Sequence, residues 1–206
     1  MKARMIEGGA LTDKELVEAG KILFLTDADI YPNAFGSSEN MGEVFPLLAR
    51  IENGLFGAEN LLVAKDDKGN ICGVLVGCNS NFWEKGTLAR VFSQKGIALP
   101  EGAVDAENNY FVYESEHEKG DYVLCLCVAP EYRRLHIGKE LLLHYLKGKK
   151  EVSLECLADN SGALAMYGAA GFCVEKEYDG YSAPGTSPVR VVRMIYRANS
   201  HSRYNY

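Results

Sequence analysis

Residues 122–129, Tyr-Val-Leu-Cys-Leu-Cys-Val-Ala, are apolar at every position, which predicts a strand buried on both faces. Ile137, Leu141, Leu142, Tyr145 and Leu146 follow at three- and four-residue spacing, so an amphipathic helix comes next. Between them Pro130 marks a turn and Arg133-Arg134-Leu135-His136 forms a short basic loop ending near Gly138. The remaining pattern is weaker but readable. Residues 3–6 predict a short strand, and residues 12–25 a helix opened by the capping-box pair Thr12 and Glu15. Residues 26–39 are rich in Asp, Pro, Asn, Gly and Ser and are expected to be loop, and residues 41–51 a second helix. Residues 61–65 and 71–77 flank Asp67-Lys68-Gly69-Asn70 and predict a hairpin.

Residues 79–120 are the least regular, with a short helix expected near 88–93 and a strand near 110–114. Val152, Leu154 and Cys156 alternate with Ser153 and Glu155, the mark of another strand. Residues 160–170 predict a helix capped by Asp159 or Asn160 and stopped at Gly171. Strands at 172–178 and 189–196 follow, around a turn at 180–188. There is no internal repeat and no linker. The order β, α, α, β-hairpin, insertion, β, α, β, α, β, β predicts one α/β domain over residues 1–198, a mixed central sheet flanked by helices, with a polar tail at 199–206.

Composition narrows the classes. Of 206 residues, 47% are hydrophobic and 24% charged, enough for a real core. The net charge of −6 makes nucleic acid a poor partner. No run approaches the roughly 20 apolar residues of a membrane span, and the N-terminal stretch lacks a signal-peptide core, so a cytoplasmic protein is expected. The six cysteines, at 72, 78, 125, 127, 156 and 173, lie in strand-like sequence without zinc-ligand spacing. They are expected to be small buried hydrophobes, with no metal.

The basic loop between a buried strand and a helix start places amides, two arginines and a helix N-terminus at one corner, which suits a pyrophosphate-bearing ligand. Between Glu101 and Asp121 lie seven acidic residues and one basic residue, a local balance equal to the charge of the whole chain. Mixed with Trp83, Phe92, Tyr110, Phe111 and Tyr113, this acidity suits a cationic acceptor with apolar bulk. Tyr31 and Phe35 either line the same mouth or pack the N-terminal helices together.

Two motifs carry a resemblance. Val128-Ala129-Pro130 leads into Arg133, Ile137 and Gly138, which match an Arg/Gln-x-x-Gly-x-Gly/Ala loop. Downstream, Asn160, Ala163, Leu164, Tyr167 and Gly171-Phe172 match Asn-x-x-Ala-x-x-x-Tyr-x-x-x-Gly-Phe. In this order the two motifs resemble the GNAT superfamily of acyl-CoA-dependent N-acetyltransferases. The chain departs at His136, where the first loop glycine usually stands; a backbone kept in helical φ/ψ there would still offer its N–H.

The resemblance implies acetyl-CoA as cosubstrate and direct attack by a primary amine within a ternary complex. The backbone of Leu126, Cys127 and Val128 would hold the pantetheine arm. Arg133, Arg134, Leu135, His136, Ile137, Gly138 and Lys139 would hold the pyrophosphate, with Asn160 and Tyr167 beside them. The strand at 152–158 would splay from the strand before the loop. The amide of Cys127 or a neighbour would stabilise the oxyanion, and Tyr167 would protonate the leaving thiolate. Glu114, Glu116, His117 and Asp121 are the candidate bases, Glu114 and Glu116 foremost. The expected acceptor is a small-molecule or peptide amine, with a homodimer left open and neither nucleic acid nor membrane as partner. The alternative is a non-catalytic acyl-CoA-binding or regulatory module on the same fold. A nucleotide-dependent oxidoreductase is disfavoured, because no Gly-x-Gly-x-x-Gly follows a strand.

Overall fold

The computed structural model describes residues 3–78, 83–112, 120–180 and 188–198. One seven-stranded sheet organises them, in the order β1-β2-β3-β4-β5-β7-β6. The strands are β1 (Arg4–Glu7), β2 (Leu61–Lys65), β3 (Ile71–Cys78), β4 (Tyr122–Val128), β5 (Glu151–Leu157), β6 (Phe172–Gly180) and β7 (Val189–Arg197). Every neighbouring pair is antiparallel except β4 and β5.

Helices cover both faces. On one lie α1 (Asp13–Leu23), α2 (Ile30–Phe35), α3 (Ser38–Leu48), α4 (Thr87–Lys95) and the short α5 (Ala103–Ala106), over a core that includes Leu23, Phe35, Phe45, Phe56, Phe92 and Phe111. On the other lie α6 (Ile137–Tyr145) and α7 (Ser161–Ala169), which bury Ile137, Leu141, Val152, Leu154 and Phe172. None of the described helices is long and apolar enough to cross a membrane.

Local chemistry explains most boundaries. Thr12 and Glu15 form the reciprocal capping box at the start of α1, and Ser37 caps α3. The hairpin turns at Gly69, whose φ of +87° glycine adopts without strain. Asn160 caps α7 by accepting from the amide of Ala163 at 3.1 Å, and Gly171 turns the chain out of it with φ +98°.

Three expectations are corrected. Residues 26–39 are not plain loop: they contain α2 and the start of α3. The Asp27 carboxylate accepts from the amides that open α2, and Ile30, Tyr31, Ala34 and Phe35 bury its apolar side. The strand expected near 110–114 is instead a π-helical turn at Glu107–Phe111, as far as it is described. It opens on Glu107, a carboxylate 3% exposed that accepts from Trp83 Nε1 at 3.0 Å and from the amides of Gly86 and Leu88 at 2.8 and 2.9 Å. These bonds anchor it beneath the start of α4, where a buried carboxylate finds the donors it requires. Lastly, not every cysteine is buried: Cys173 is exposed on the edge strand and Cys156 is half-buried.

Glu15 also reaches across to Lys65 of β2, whose side chain is 7% exposed, and so ties α1 to the sheet. The bond to Lys65, followed by the Thr12 amide, lowers the Glu15 carboxyl from 4.5 to about 2. A carboxylate depressed in the folded state stabilises above its unfolded pKa and loses that contribution as pH falls through its folded value. Glu15→Gln is therefore expected to lower the Tm at pH 7. The gap from wild type should shrink below pH 4.5 and close near pH 2, as read by thermal melts across that range.

Candidate active site

The site begins where the only parallel pairing among the described strands fails. β4 pairs with β5 at Tyr122–Ser153 and Val123–Leu154 and no further. On its other side β4 stays paired with β3 to Val128, but the register slips between Val76, opposite Cys125, and Gly77, opposite Val123. Leu124 is the extra residue of a β-bulge. A bulge bends its strand and sharpens the twist, and here it swings Cys125–Val128 away from β5. The splay expected from the resemblance is present.

The alternation of the antiparallel ladder decides which backbone groups face the opening. Ala129 N–H donates to Cys72 C=O, so Cys127 and Cys125, in phase with it, turn their amides to β3. Leu126 and Val128 turn theirs toward the gap. Of the amides expected as oxyanion donors, Cys127 or a neighbour, those of the neighbours Leu126 and Val128 face the gap.

After β4 the chain makes a short 3-10 turn at Pro130–Tyr132 and then a loop with two left-handed residues, Arg134 at φ +65° and His136 at φ +62°. His136 is the N-cap of α6. Its φ/ψ are left-handed, not right-handed helical, the conformation for which glycine is the usual residue. Such a backbone turns successive amides to one side, the geometry of an anion nest. Arg133 Nε donates to Val128 C=O at 3.3 Å and pins the loop to the strand end. Tyr132 Oη donates to Asp66 at 2.9 Å and pins it to the β2–β3 turn.

Gly138, in the first turn of α6, is closely surrounded. A Cβ there would lie 3.0 Å from Met166 Sδ and 3.2 Å from Leu126 Cδ2. Its absence lets α6, α7 and β4 converge at the cleft wall.

The parting of the strands opens a cleft of about 1310 Å³ that passes through the sheet. From the α6–α7 side it is lined by Arg133, Arg134, His136, Lys139, Asn160 and Met166. From the other side Thr26, Asp27, Tyr31 and Tyr110 reach it, and Asp179 and Val189 flank it at the β6–β7 end. The charge is divided. Arg134, His136 and Lys139 have no ion-pair partner among the described residues and crowd one rim. The carboxylates that line the cleft are Asp27, Glu155 and Asp179.

At the waist stands Tyr167, 8% exposed, with its phenol pushed above its ordinary pKa, first by burial and then by Cys156 and Cys125. It stays protonated at neutral pH and is a donor. Across from it, Tyr31 lies close to the Cys125 sulfur, whose pKa burial raises to about 12. Cys125 is thus a neutral thiol in the wall, poorly suited to act as a nucleophile.

The structure brings together most of the residues expected at the site: Leu126, Val128, Arg133, Arg134, His136, Ile137, Gly138, Lys139, Asn160 and Tyr167 all line the cleft. Cys127 does not; it is buried behind β4. Leu135 is exposed outside the cleft. Trp83, Phe92 and Phe111, expected at an acceptor mouth, belong to the aromatic core, as does Phe35, while Tyr31 is in both core and cleft. The acidic run is dispersed: Glu107 is consumed in the core, and Asp121 is held by Lys149 at 2.6 Å rather than free to act as a base. Glu114, Glu116, His117 and Tyr113 lie outside the described residues, as do the tail 199–206 and most of the 180–188 turn. Asp27 was missed. The signal for it was an Asp two and three residues ahead of Asp29 and Ile30, the spacing at which an aspartate side chain accepts from following amides in a turn.

The model of the Acetyltransferase (GNAT) family matches residues 29–172. The chain belongs to the GNAT acetyltransferase family. Solved structures agree in fold. A Corynebacterium glutamicum protein described as histone acetyltransferase HPA2 and related acetyltransferase is 19% identical, with a TM-score of 0.61 over 96% of this chain and 98% of that one. An N-acetyltransferase from Staphylococcus aureus is 14% identical, with a TM-score of 0.59 over 94% and 100% of the two chains. The ribosomal-protein-S18-alanine N-acetyltransferase of Escherichia coli is 15% identical, with a TM-score of 0.55 over 100% and 99%. No curated protein matches the chain.

A left-handed histidine is strained, and glycine removes that strain while giving some stability back through the freer unfolded chain. His136→Gly is expected to stabilise the fold by up to about 1 kcal/mol. Urea denaturation checks this, and an unchanged or lower midpoint would contradict the strained backbone.

Proposed function

We propose that the protein is an N-acetyltransferase that moves the acetyl group of acetyl-CoA to a primary amine by direct attack in a ternary complex. The observation that carries this reading is the cleft through the sheet. Its lining offers a long anionic thioester the basic α6–α7 side and an amine the opposite side, where Asp27, Tyr31 and Tyr110 stand. A binding module has no need of a second, acidic side.

The residues fit the thioester. Leu126 and Val128 turn their backbone amides toward the pantetheine arm, and the nest at residues 133–139, with the start of α6, suits the pyrophosphate. Arg133, Arg134 and Lys139 add charge there, and His136, Ile137, Gly138 and Asn160 shape the wall. The amide of Leu126 or Val128 supplies the oxyanion contact. Tyr167 gives its proton to the leaving sulfur. Since a thiolate already leaves readily, Tyr167 speeds the reaction without being indispensable. Glu114 and Glu116, ahead of β4, remain candidates for carrying the amine's proton to water.

Release of free thiol from acetyl-CoA in the presence of a primary-amine panel tests the reading. Coenzyme A binding without thiol release for any amine would establish the binding module instead. Arg133→Ala is expected to raise the acetyl-CoA KM about tenfold, the size of one charge-assisted hydrogen bond lost at an exposed rim; an unchanged KM would remove the loop from the cofactor site. Tyr167→Phe is expected to lower kcat by about tenfold to a hundredfold with acetyl-CoA affinity retained, since proton donation acts on the chemical step. Single-turnover kinetics beside equilibrium titration separates the two.

A further inference from the structure

We propose that Asp27 is the acceptor-side carboxylate that seats the substrate's ammonium group and takes up its proton, so that the acceptor is a cationic primary amine entering from the α1–α2 side. This assignment rests on the transferase reading above and names the substrate class of the same cleft.

Three carboxylates line the described part of the cleft, and two are already engaged. Glu155 is bound by Arg193 at 3.2 Å, and Asp179 by Arg190 at 3.3 Å. Asp27 differs. Its Oδ1 accepts from the amide of Asp29 at 2.7 Å and from that of Ile30, which fixes the side chain at the start of α2. Its Oδ2 has no hydrogen-bond partner and no cation among the described residues. A half-buried carboxylate with one oxygen held and the other unpaired is a ready site for an ammonium.

Its place is on the acceptor's side of the cleft. The segment carrying Asp27 lies against the stretch of β4 that has lost β5. Thr26 lies close to the Cys127 sulfur, Tyr31 lies close to the Cys125 sulfur, and Tyr31 feels the charge of Asp27. Tyr167 senses Cys125 from the α7 side. Asp27 and Tyr167 thus approach one strand segment from opposite faces, a proton acceptor on one and a proton donor on the other. Tyr110, partly buried beside Asp27, supplies an aromatic wall to a cation there. Burial raises the Asp27 carboxyl above its ordinary pKa, which makes it a stronger proton acceptor than a surface aspartate.

The step balances. The ammonium gives one proton to Asp27 Oδ2, and the free amine attacks the thioester carbonyl carbon to form the C–N bond. The C–S bond breaks with its electron pair on sulfur. The second nitrogen proton ends on that sulfur through the Tyr167 hydroxyl. Amide and coenzyme A thiol leave, and Asp27 releases its proton to water.

The test is Asp27→Asn, because asparagine keeps the oxygen that accepts from Asp29 and Ile30 and removes the charge. Acetyl-CoA binding is measured by calorimetry, the Tm by thermal melt, and thiol release with putrescine, spermidine, tyramine and an alanine-initiated tetrapeptide. The expected result is a Tm near wild type, acetyl-CoA affinity within about twofold, and a loss of about a hundredfold in kcat/KM for the amine that wild type uses best. Wild-type kcat/KM in the variant would overturn the role of Asp27 while leaving the transferase intact. A Tm collapse that accounts for the loss would reduce Asp27 to a helix cap and overturn it too, and Asp27→Ala calibrates that collapse. Acetyl-CoA binding by wild type with no thiol release for any amine would remove the transferase reading itself, and this assignment with it.

Discussion

Everything at the site depends on one mismatch of strand pairing. β4 is held by β3 along its length and by β5 at two positions only. A strand in the middle of a sheet ordinarily spends both rows of its backbone groups on neighbours. Here one row is paired and the other released, and the bulge at Leu124 is the device that releases it. Unpaired amides and carbonyls inside a fold are costly unless something meets them. The cleft supplies that meeting place, so the defect in the sheet and the binding surface are one feature.

The same parting sets the electrostatics. Because the opening runs through the sheet, the two faces can carry different charge without cancelling at short range. The loop before α6 concentrates unpaired basic groups on one side. The carboxylates that reach the cleft belong to the α1–α2 segment, to β5 and to the β6–β7 hairpin. The two cores reinforce the division. The aromatic cluster around Phe35, Phe56, Trp83 and Phe111 fixes the helices of the α1–α5 face, and the aliphatic packing of Leu141, Val152 and Leu154 fixes α6 and α7.

Much of this was legible in the sequence where short-range rules decide. The unbroken apolar run of β4, the helical spacing after Ile137, the hairpin at Gly69 and the caps at Thr12 and Asn160 all act within a few residues. What was not legible depends on distant partners. Glu107 looks like one more surface acid until the indole of Trp83 and two amides at the start of α4 surround it, at the opening of the π turn that stands where a strand was expected. Asp27 looks like a loop residue because α2 is too short to show periodicity. Trp83, Phe92 and Phe111 have the composition of a binding mouth, and only tertiary packing shows that they fill a core. Even His136, visible as a departure from a glycine, could be given the wrong backbone conformation, because φ is set by the loop's closure and not by the residue's preference.

One bond links distant parts of the chain. Tyr132, in the turn that leads into the anion nest, donates to Asp66, whose carboxylate also receives the amides of Lys68 and Asn70 and so builds the β2–β3 turn. The two residues are 66 positions apart. Hairpin tips are ordinarily where a protein accepts insertions, deletions and polar substitutions at little cost. In this chain the turn doubles as a mooring post for the loop that lines the cleft. An inserted residue would disturb the Lys68 and Asn70 amides that hold the carboxylate toward the phenol, so a region whose exposure suggests freedom is bound in length by a site on the far side of the strand pair.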